Sequence, residues 1–533
     1  MGDAGAGVRP GMAILAGVAV LGVAVGATLG LRDGGRTTTQ TAAKAPQSSA
    51  TATASEVVAP AVPVAIPTPK GPLVWTKCAD IEKLECASVQ VPLDYTKPEG
   101  EQITIALSRL VHTATDYRGV ILVNPGGPGS PGREIASAGA GVARNIGTKY
   151  DWIGFDPRGI GKSQPALSCD PAYVADKLAG YVPTTPALTQ AWLDKTKAYA
   201  ASCAASPSAN LLPHVRSIDT VRDMESIRLA LGAQKISYWG NSYGSLLGQG
   251  YATLFPDRVD KMLLDGVVDA NKGWYESNLD QNVAMTKSFG VFITWLADNP
   301  ATFKLGSDPA AITTKFYQQV AALQAKPVAS AKVSAVDLTN AGISASYGVS
   351  SWNLIGPTVA AVLTKGDANA YTALAGLATE TSDNVRAGYL AVQCSETTWP
   401  SWSTMKTDAD RMYPDNPLMT WQNTWMNAPC AFWPVKPQPR FAVDGSKLTA
   451  PLLLTSETLD AATPYAGAVA TRERFPTARL ASGTGGTTHS SSMGAGPCLS
   501  GVIADFLDTG ALPARAPGAG PDKECPPVAP TKP

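Results

Sequence analysis

One stretch constrains this chain more than any other: Lys235-Ile236-Ser237-Tyr238-Trp239-Gly240-Asn241-Ser242-Tyr243-Gly244-Ser245. A β-prone segment, Ile236 to Trp239, runs straight into Gly-Asn-Ser-Tyr-Gly, and a helix-like segment, Ser245 to Leu254, follows at once. G-x-S-x-G between a strand and a helix is the sequence form of a nucleophile elbow, a sharp strained turn that lifts a serine hydroxyl clear of the sheet. Gly240 and Gly244 suit that turn because side chains there would collide with the neighbouring strand and helix. The N-terminus of the following helix adds backbone N–H groups and a positive dipole end, both useful to an oxyanion.

The flanking sequence alternates in the same rhythm. Leu84 to Leu93 and Gln102 to His112 read as an antiparallel pair. Gly119 to Val123 is a continuous apolar run, as expected of a buried parallel strand, and ends in Asn124-Pro125-Gly126-Gly127-Pro128-Gly129. Tyr150 to Phe155 is the next strand, Asp219 to Leu231 a helix stopped by Gly232, and Met262 to Leu264 a strand after the elbow helix. Strands and helices at this interval predict an α/β fold with a mostly parallel sheet covered on both faces. From Asn271 to Thr449 buried-strand runs are missing. Lys287 to Leu296 and Pro309 to Leu323 are amphipathic helix candidates, and Trp399, Trp402, Trp421, Trp425 and Trp433 crowd together. The strand rhythm resumes at Pro451 to Thr455. The expected organisation is therefore a core over 71–270, a helical cap over 271–449 with the tryptophans in its core, and the rest of the core over 450–533.

The N-terminus reads as an export signal. Met12 to Leu31 is uncharged, with Arg9 before it and Arg32 after it, which suits a signal peptide or an uncleaved signal anchor within 1–35. Residues 36–70 are rich in Thr, Ala, Ser, Pro and Val, the composition of a disordered spacer. All eight cysteines lie beyond it, and an even count in an exported chain reads as disulfides. Sequential pairing, 78–86, 169–203, 394–430 and 498–525, is the simplest arrangement. A zinc site is the weaker alternative, since no C-x-x-C pair occurs and the chain has 3 His. Acidic and basic residues balance at 43 each, so nothing calls for nucleic acid or an anionic membrane surface. No cofactor or metal is expected, membrane association is expected only through the N-terminal anchor, and the chain is expected to be a monomer.

A serine nucleophile needs a base and a group that orients it. This order of elements places the acid and then the histidine after the serine, and His112 and His214 both precede Ser242. That leaves His489, in a Gly/Ser/Thr-rich run. Asp460 follows the strand Leu452 to Thr455, just before Thr463-Pro464, which reads as a helix N-cap with proline at the first helical position. Asp265 and Asp269 are the fallback acids. The oxyanion hole would use the N–H of Tyr243 and one from the Gly-rich turn, most simply Gly127. A phosphate cradle is a poor alternative for that turn, which has neither G-x-G-x-x-G nor a G-K-[ST] ending.

Several pieces together resemble the secreted tripeptidyl aminopeptidases of actinobacteria, relatives of proline iminopeptidase within the α/β-hydrolases. They are Asn-Pro-Gly-Gly-Pro-Gly at 124–129, Gly-Phe-Asp-Pro-Arg-Gly-Ile-Gly-Lys-Ser at 154–163, Gly-Asn-Ser-Tyr-Gly at 240–244, Phe-Pro-Asp-Arg-Val at 255–259 with Leu-Asp-Gly at 264–266, and Asp460 with Thr463-Pro464. The chain departs from proline iminopeptidases at Pro125, where those proteins usually have His, and His489 lies between Thr488 and Ser490 rather than beside Gly. The resemblance implies an α/β-hydrolase fold with a helical cap between the sixth and seventh core strands. It also implies a Ser242–Asp460–His489 triad and release of short peptides, tripeptides above all, or of single residues from free N-termini. An aminopeptidase must bind an ammonium group, for which Glu396, beside Cys394 and the tryptophans, is the first candidate, with Glu457 and Glu276 as alternatives. A secreted carboxylesterase or lipase would use the same triad. A catalytically silent binding protein is disfavoured because serine, acid and histidine are all present.

Overall fold

The computed structural model describes residues 65–173, 177–377, 382–438 and 440–533. The expected signal or anchor segment, 1–35, and the spacer up to residue 64 lie outside them. Among the described residues no helix is long and apolar enough to cross a membrane.

Ten strands form one sheet: β1 (Thr76–Lys77), β2 (Glu85–Pro92), β3 (Gln102–Leu110), β4 (Gly119–Asn124), β5 (Tyr150–Phe155), β6 (Ile236–Asn241), β7 (Val259–Asp265), β8 (Leu452–Glu457), β9 (Ala478–Gly483) and β10 (Lys523–Cys525). Their order is β1-β2-β3-β5-β4-β6-β7-β8-β9-β10. The β1–β2, β2–β3 and β3–β5 pairs are antiparallel, and all pairs from β5 through β10 are parallel. The runs read as buried strands occupy the centre, and every residue of β6 and β8 is buried.

Successive side chains in these strands enter opposite cores, as the two-residue repeat of a strand requires. Leu122, Leu264, Leu452 and Leu454 join Val221, Met224 and Ile227 of the helix Ser217–Ala230 and Leu246 and Leu247 of the helix Tyr243–Leu254. Ile121, Val123, Leu263 and Leu453 face the other way, against Ile135, Ile146 and, from the helix Pro497–Thr509, Ile503 and Phe506. Each such side chain removed from water contributes about 1.5–3 kcal/mol before chain entropy is subtracted. Helices on both faces of a mostly parallel sheet make this an α/β-hydrolase fold.

Between β7 and β8 the described residues hold helices and no named strand, beginning with Trp274–Asp298 and including Pro309–Ala325, Ala335–Ser346, Trp352–Thr364 and Asp383–Glu396. Counted from β2, the first long strand, the insertion falls between the sixth and seventh strands. It has its own core, built on Phe289, Phe292, Trp295, Phe316 and Trp352. Of the five clustered tryptophans, Trp402 and Trp421 each stack on Trp425, which also stacks on Trp192. Trp192 lies on the helix Pro186–Ala205, before the elbow. The segment after β5 therefore packs with the cap, a partnership that hydrophobic periodicity does not reveal because the contacts are non-local.

The four disulfides are Cys78–Cys86, Cys169–Cys203, Cys394–Cys430 and Cys498–Cys525. The zinc alternative fails at the one Cys-rich cluster among the described residues, since Cys78 and Cys86 are bonded to each other. Four such bonds belong to an oxidising compartment, so the folded part is extracytoplasmic.

Candidate active site

Ser242 stands between the end of β6 and the start of its helix with φ 54° and ψ −124°, a conformation that non-glycine residues adopt only when their surroundings impose it. The surroundings here are specific. The Ser242 N–H donates to the Asp265 carbonyl at 2.8 Å, and its carbonyl accepts from the Ser245 N–H at 2.8 Å and from the Ser245 hydroxyl. A Cβ on Gly240 would lie 2.4 Å from the Gly244 carbonyl oxygen, and one on Gly244 would lie 2.8 Å from the Asn124 carbonyl oxygen in β4. The two glycines let strand and helix close on each other, as the motif requires. Ser242 is partly exposed while its neighbours Asn241 and Tyr243 are buried.

Asp460 and His489 meet on the loops after β8 and β9. The imidazole Nδ1 lies 2.8 Å from Asp460 Oδ2 and 2.9 Å from Oδ1. The carboxylate is fully buried and accepts three further bonds at 2.9 Å each: from the N–H groups of Ala462 and Thr463 and from the Thr463 hydroxyl. Thr463 was expected to cap a helix. That helix instead begins at Ala466, and the Thr463 hydroxyl serves Asp460. Burial pulls the His489 pKa down, but the Asp460 charge and hydrogen bond outweigh it and leave it above its ordinary value. With Nδ1 held, Nε2 is the ring nitrogen left to exchange a proton. His112 pairs with Asp151, and His214 lies in a helical turn beside Arg158.

The Gly-rich turn after β4 passes directly over the elbow. A Cβ on Gly126 would stand 2.7 Å from Ser242 Cβ and 3.1 Å from the Tyr243 nitrogen. The Gly126 N–H is already donated to Asn124 Oδ1 at 2.9 Å. The next N–H along the turn belongs to Gly127. The Gly-Phe-Asp-Pro-Arg-Gly motif supports this turn from behind. Asp156 accepts from the N–H groups of Gly132, Arg133 and Lys162, and Arg158 is fully buried in a bidentate pair with Asp223.

Asp265, weighed as an alternative acid, lies beneath the site. Its Oδ2 accepts from the N–H and hydroxyl of Ser492, and its backbone carbonyl holds Ser242. It pairs with the histidine loop rather than with the imidazole. The two acids expected to face substrate do not lie free. Glu396 is 1% exposed, and its oxygens accept from the Ser217 N–H and from Trp274 Nε1. Burial pushes its pKa up against the pull of nearby Arg440. Glu457 is equally buried and accepts from the N–H groups of Thr488 and Val528, so it anchors the loop that carries His489. Both carboxylates are thus buried and held by internal donors. Glu276 caps its own helix through the Gly273 N–H.

Two residues carry signals too weak to find in sequence. Thr463 was visible only as a cap. Tyr347, in the cap, lies with its ring edge-to-face on His489, centroids 5.8 Å apart, in a stretch with no motif around it.

Fold and site together define a serine hydrolase of the α/β-hydrolase class. The family described as TAP-like protein matches residues 416–525. A tripeptidyl aminopeptidase of Streptomyces coelicolor is 37% identical over 463 residues, spanning 83% of this chain and 84% of that protein. The serine protease Hip1 of Mycobacterium tuberculosis is 29% identical over 480 residues, with 83% and 90% covered. A carboxylesterase B of the same species is 28% identical over 481 residues, with 84% and 90% covered. The chain belongs to the tripeptidyl aminopeptidase family and is a serine peptidase-like hydrolase.

Proposed function

We propose that this protein is a secreted or surface-anchored exopeptidase that releases tripeptides from free N-termini through an acyl-enzyme on Ser242. His489 Nε2 takes the Ser242 proton as the oxygen attacks the scissile carbonyl. The N–H groups of Tyr243 and Gly127 hold the oxyanion, and the helix N-terminus behind Tyr243 favours the negative charge. His489 then protonates the leaving amine, and water, activated by the same imidazole, cleaves the acyl-enzyme. Asp460 fixes the tautomer and stabilises the imidazolium without taking the proton. The observation that carries this reading is the buried Asp460–His489 pair beside the strained Ser242 turn. Tripeptide release, rather than single-residue release, rests on the name of the S. coelicolor relative.

The carboxylesterase relative favours a second reading in which the same triad cleaves an ester. The test is hydrolysis by the purified protein of a tripeptide amide with a free N-terminus, its N-acetylated twin and a short-chain acyl ester, with Ser242→Ala as control. Cleavage of the free peptide and not of its acetylated twin supports the exopeptidase. Ester cleavage with both peptides untouched moves the protein to the esterases.

A further inference from the structure

The cap approaches the reacting centre with two tyrosines. Tyr389, in the helix Asp383–Glu396, lies over the Gly-rich turn, its backbone nitrogen 2.7 Å from the point a Cβ on Gly129 would occupy. Tyr347 directly follows the helix Ala335–Ser346 and lies over the histidine. Its carbonyl accepts the His489 N–H at 2.8 Å, and the two rings meet at 80°. Tyr347 is 39% exposed, one of few large apolar side chains left so open, and its hydroxyl has no hydrogen-bond partner among the described residues. Surrounding protein, and the Asp460 charge, push the Tyr347 phenol up to about 12, and Tyr347 in turn acts electrostatically on the phenol of Tyr389. Both tyrosines thus reach the site from the cap, one at the Gly-rich turn and one at the histidine.

The imidazole of His489 is closed on two of its edges. Its Nδ1 side is closed by Asp460 and Thr463, and its Cε1 lies 2.9 Å from where a Cβ on Gly266 would stand. The Nε2 edge is what remains, and in the acyl-enzyme mechanism this edge hands a proton to the departing amine. Tyr389 stands over the turn that holds the oxyanion, and Tyr347 stands beside the imidazole that serves the leaving group.

We propose that Tyr347 is a substrate-contact and specificity residue on the leaving-group side, its ring and free hydroxyl receiving the residue just after the scissile bond and favouring an apolar or aromatic side chain there. The assignment rests on the acyl-enzyme reading above. It is tested with the full-length protein on three substrates that share one free-N-terminal tripeptide and continue as Phe, as Gly or as a primary amide. The wild type is expected to prefer Phe over Gly. In Tyr347→Ala the Phe-to-Gly ratio of kcat/KM should fall about ten-fold, the scale of one lost pocket contact, while Tyr347→Phe should keep most of the preference. A ratio rather than a rate is read because a poorly folded variant lowers all substrates equally. An unchanged ratio in Tyr347→Ala overturns the assignment. If the wild type cleaves none of these peptides, the exopeptidase reading fails separately. The same ratio is then taken between a phenylethyl and a methyl ester of one acid, where Tyr347→Ala must again narrow the preference for the larger leaving group or the assignment falls.

Discussion

The backbone N–H of His489 donates to the carbonyl of Tyr347, so the candidate base on the core is tied by its main chain to the cap. A second tie lies on the other side of the acid loop, where Gln281 Nε2 donates to the Ala462 carbonyl at 2.7 Å. Both loops that carry the Asp460–His489 pair are thus held from above as well as from the sheet. The cap contributes to alignment of the pair in addition to covering it.

Asp460 sets the protonation of His489. The folded imidazole holds its proton to a pH above its ordinary 6.5, because the Asp460 charge and hydrogen bond exceed the effect of burial. Activity needs the neutral ring, so kcat/KM should rise with pH through a limb above 6.5. The pair's contribution to stability has the opposite sense: present in full below pH 6.5 and lost as pH rises through the folded pKa. Asp460→Asn should lower kcat about 10³–10⁴-fold and move the limb to lower pH. A pH–rate profile of the variant checks both, and a limb that stays in place removes Asp460 from the role.

The Thr463 hydroxyl spends its proton on Asp460 Oδ2, the oxygen nearest His489. Thr463→Val keeps the shape and removes that donor. One hydrogen bond to a charged group is worth about 1.5–3 kcal/mol, so kcat should fall about ten-fold or more. KM should hardly move, because Thr463 reaches the reaction through Asp460. A rise in KM with kcat intact would instead make Thr463 a substrate contact.

Much of this site was legible in the chain. The elbow, the acid and the histidine each follow a strand, and a strand announces itself by a local apolar run such as Leu452 to Leu454. The disulfides pair in the simplest order. What the sequence hides is where long-range donors go. Nothing local to Glu396 tells that Trp274 and Ser217 will occupy its oxygens, and nothing near Glu457 tells that Val528 will reach it. The same limit concealed the packing of Trp192 against Trp425, between segments far apart along the chain.

Asp265 links the two halves of the site. Its main-chain carbonyl holds the Ser242 N–H, and its side chain holds Ser492 in the histidine loop. Its charge also raises the His489 pKa. Asp265→Asn leaves the main-chain bond and weakens the other two effects. A misplacement on the order of 1 Å costs about 10²-fold, so kcat should drop by up to that factor. The acid limb of the pH–rate profile should shift downward as well. An equal rate loss at every pH would assign Asp265 to packing alone.

Glu457 makes a separate prediction about stability. Burial pushes its carboxyl up to about 7, against the N–H groups of Val528 and Thr488 that pull it down. In the unfolded chain it releases its proton near 4.5. Between those values the folded state binds more protons than the unfolded one, so this group's contribution to stability falls as pH rises from 4.5 to 7 and is level beyond. The total amounts to roughly 3 kcal/mol at about 1.4 kcal/mol per unit, an upper figure for a group in contact with two donors. Glu457→Gln cannot titrate. The melting temperature of the variant minus that of the wild type should therefore climb across pH 4.5 to 7 and flatten above it, whatever fixed penalty the amide carries for meeting the Thr488 and Val528 donors. Taking the difference cancels every other titrating group. A flat difference across that range would mean that Glu457 is already ionised in the acid range and that its backbone donors, rather than burial, dominate its proton affinity.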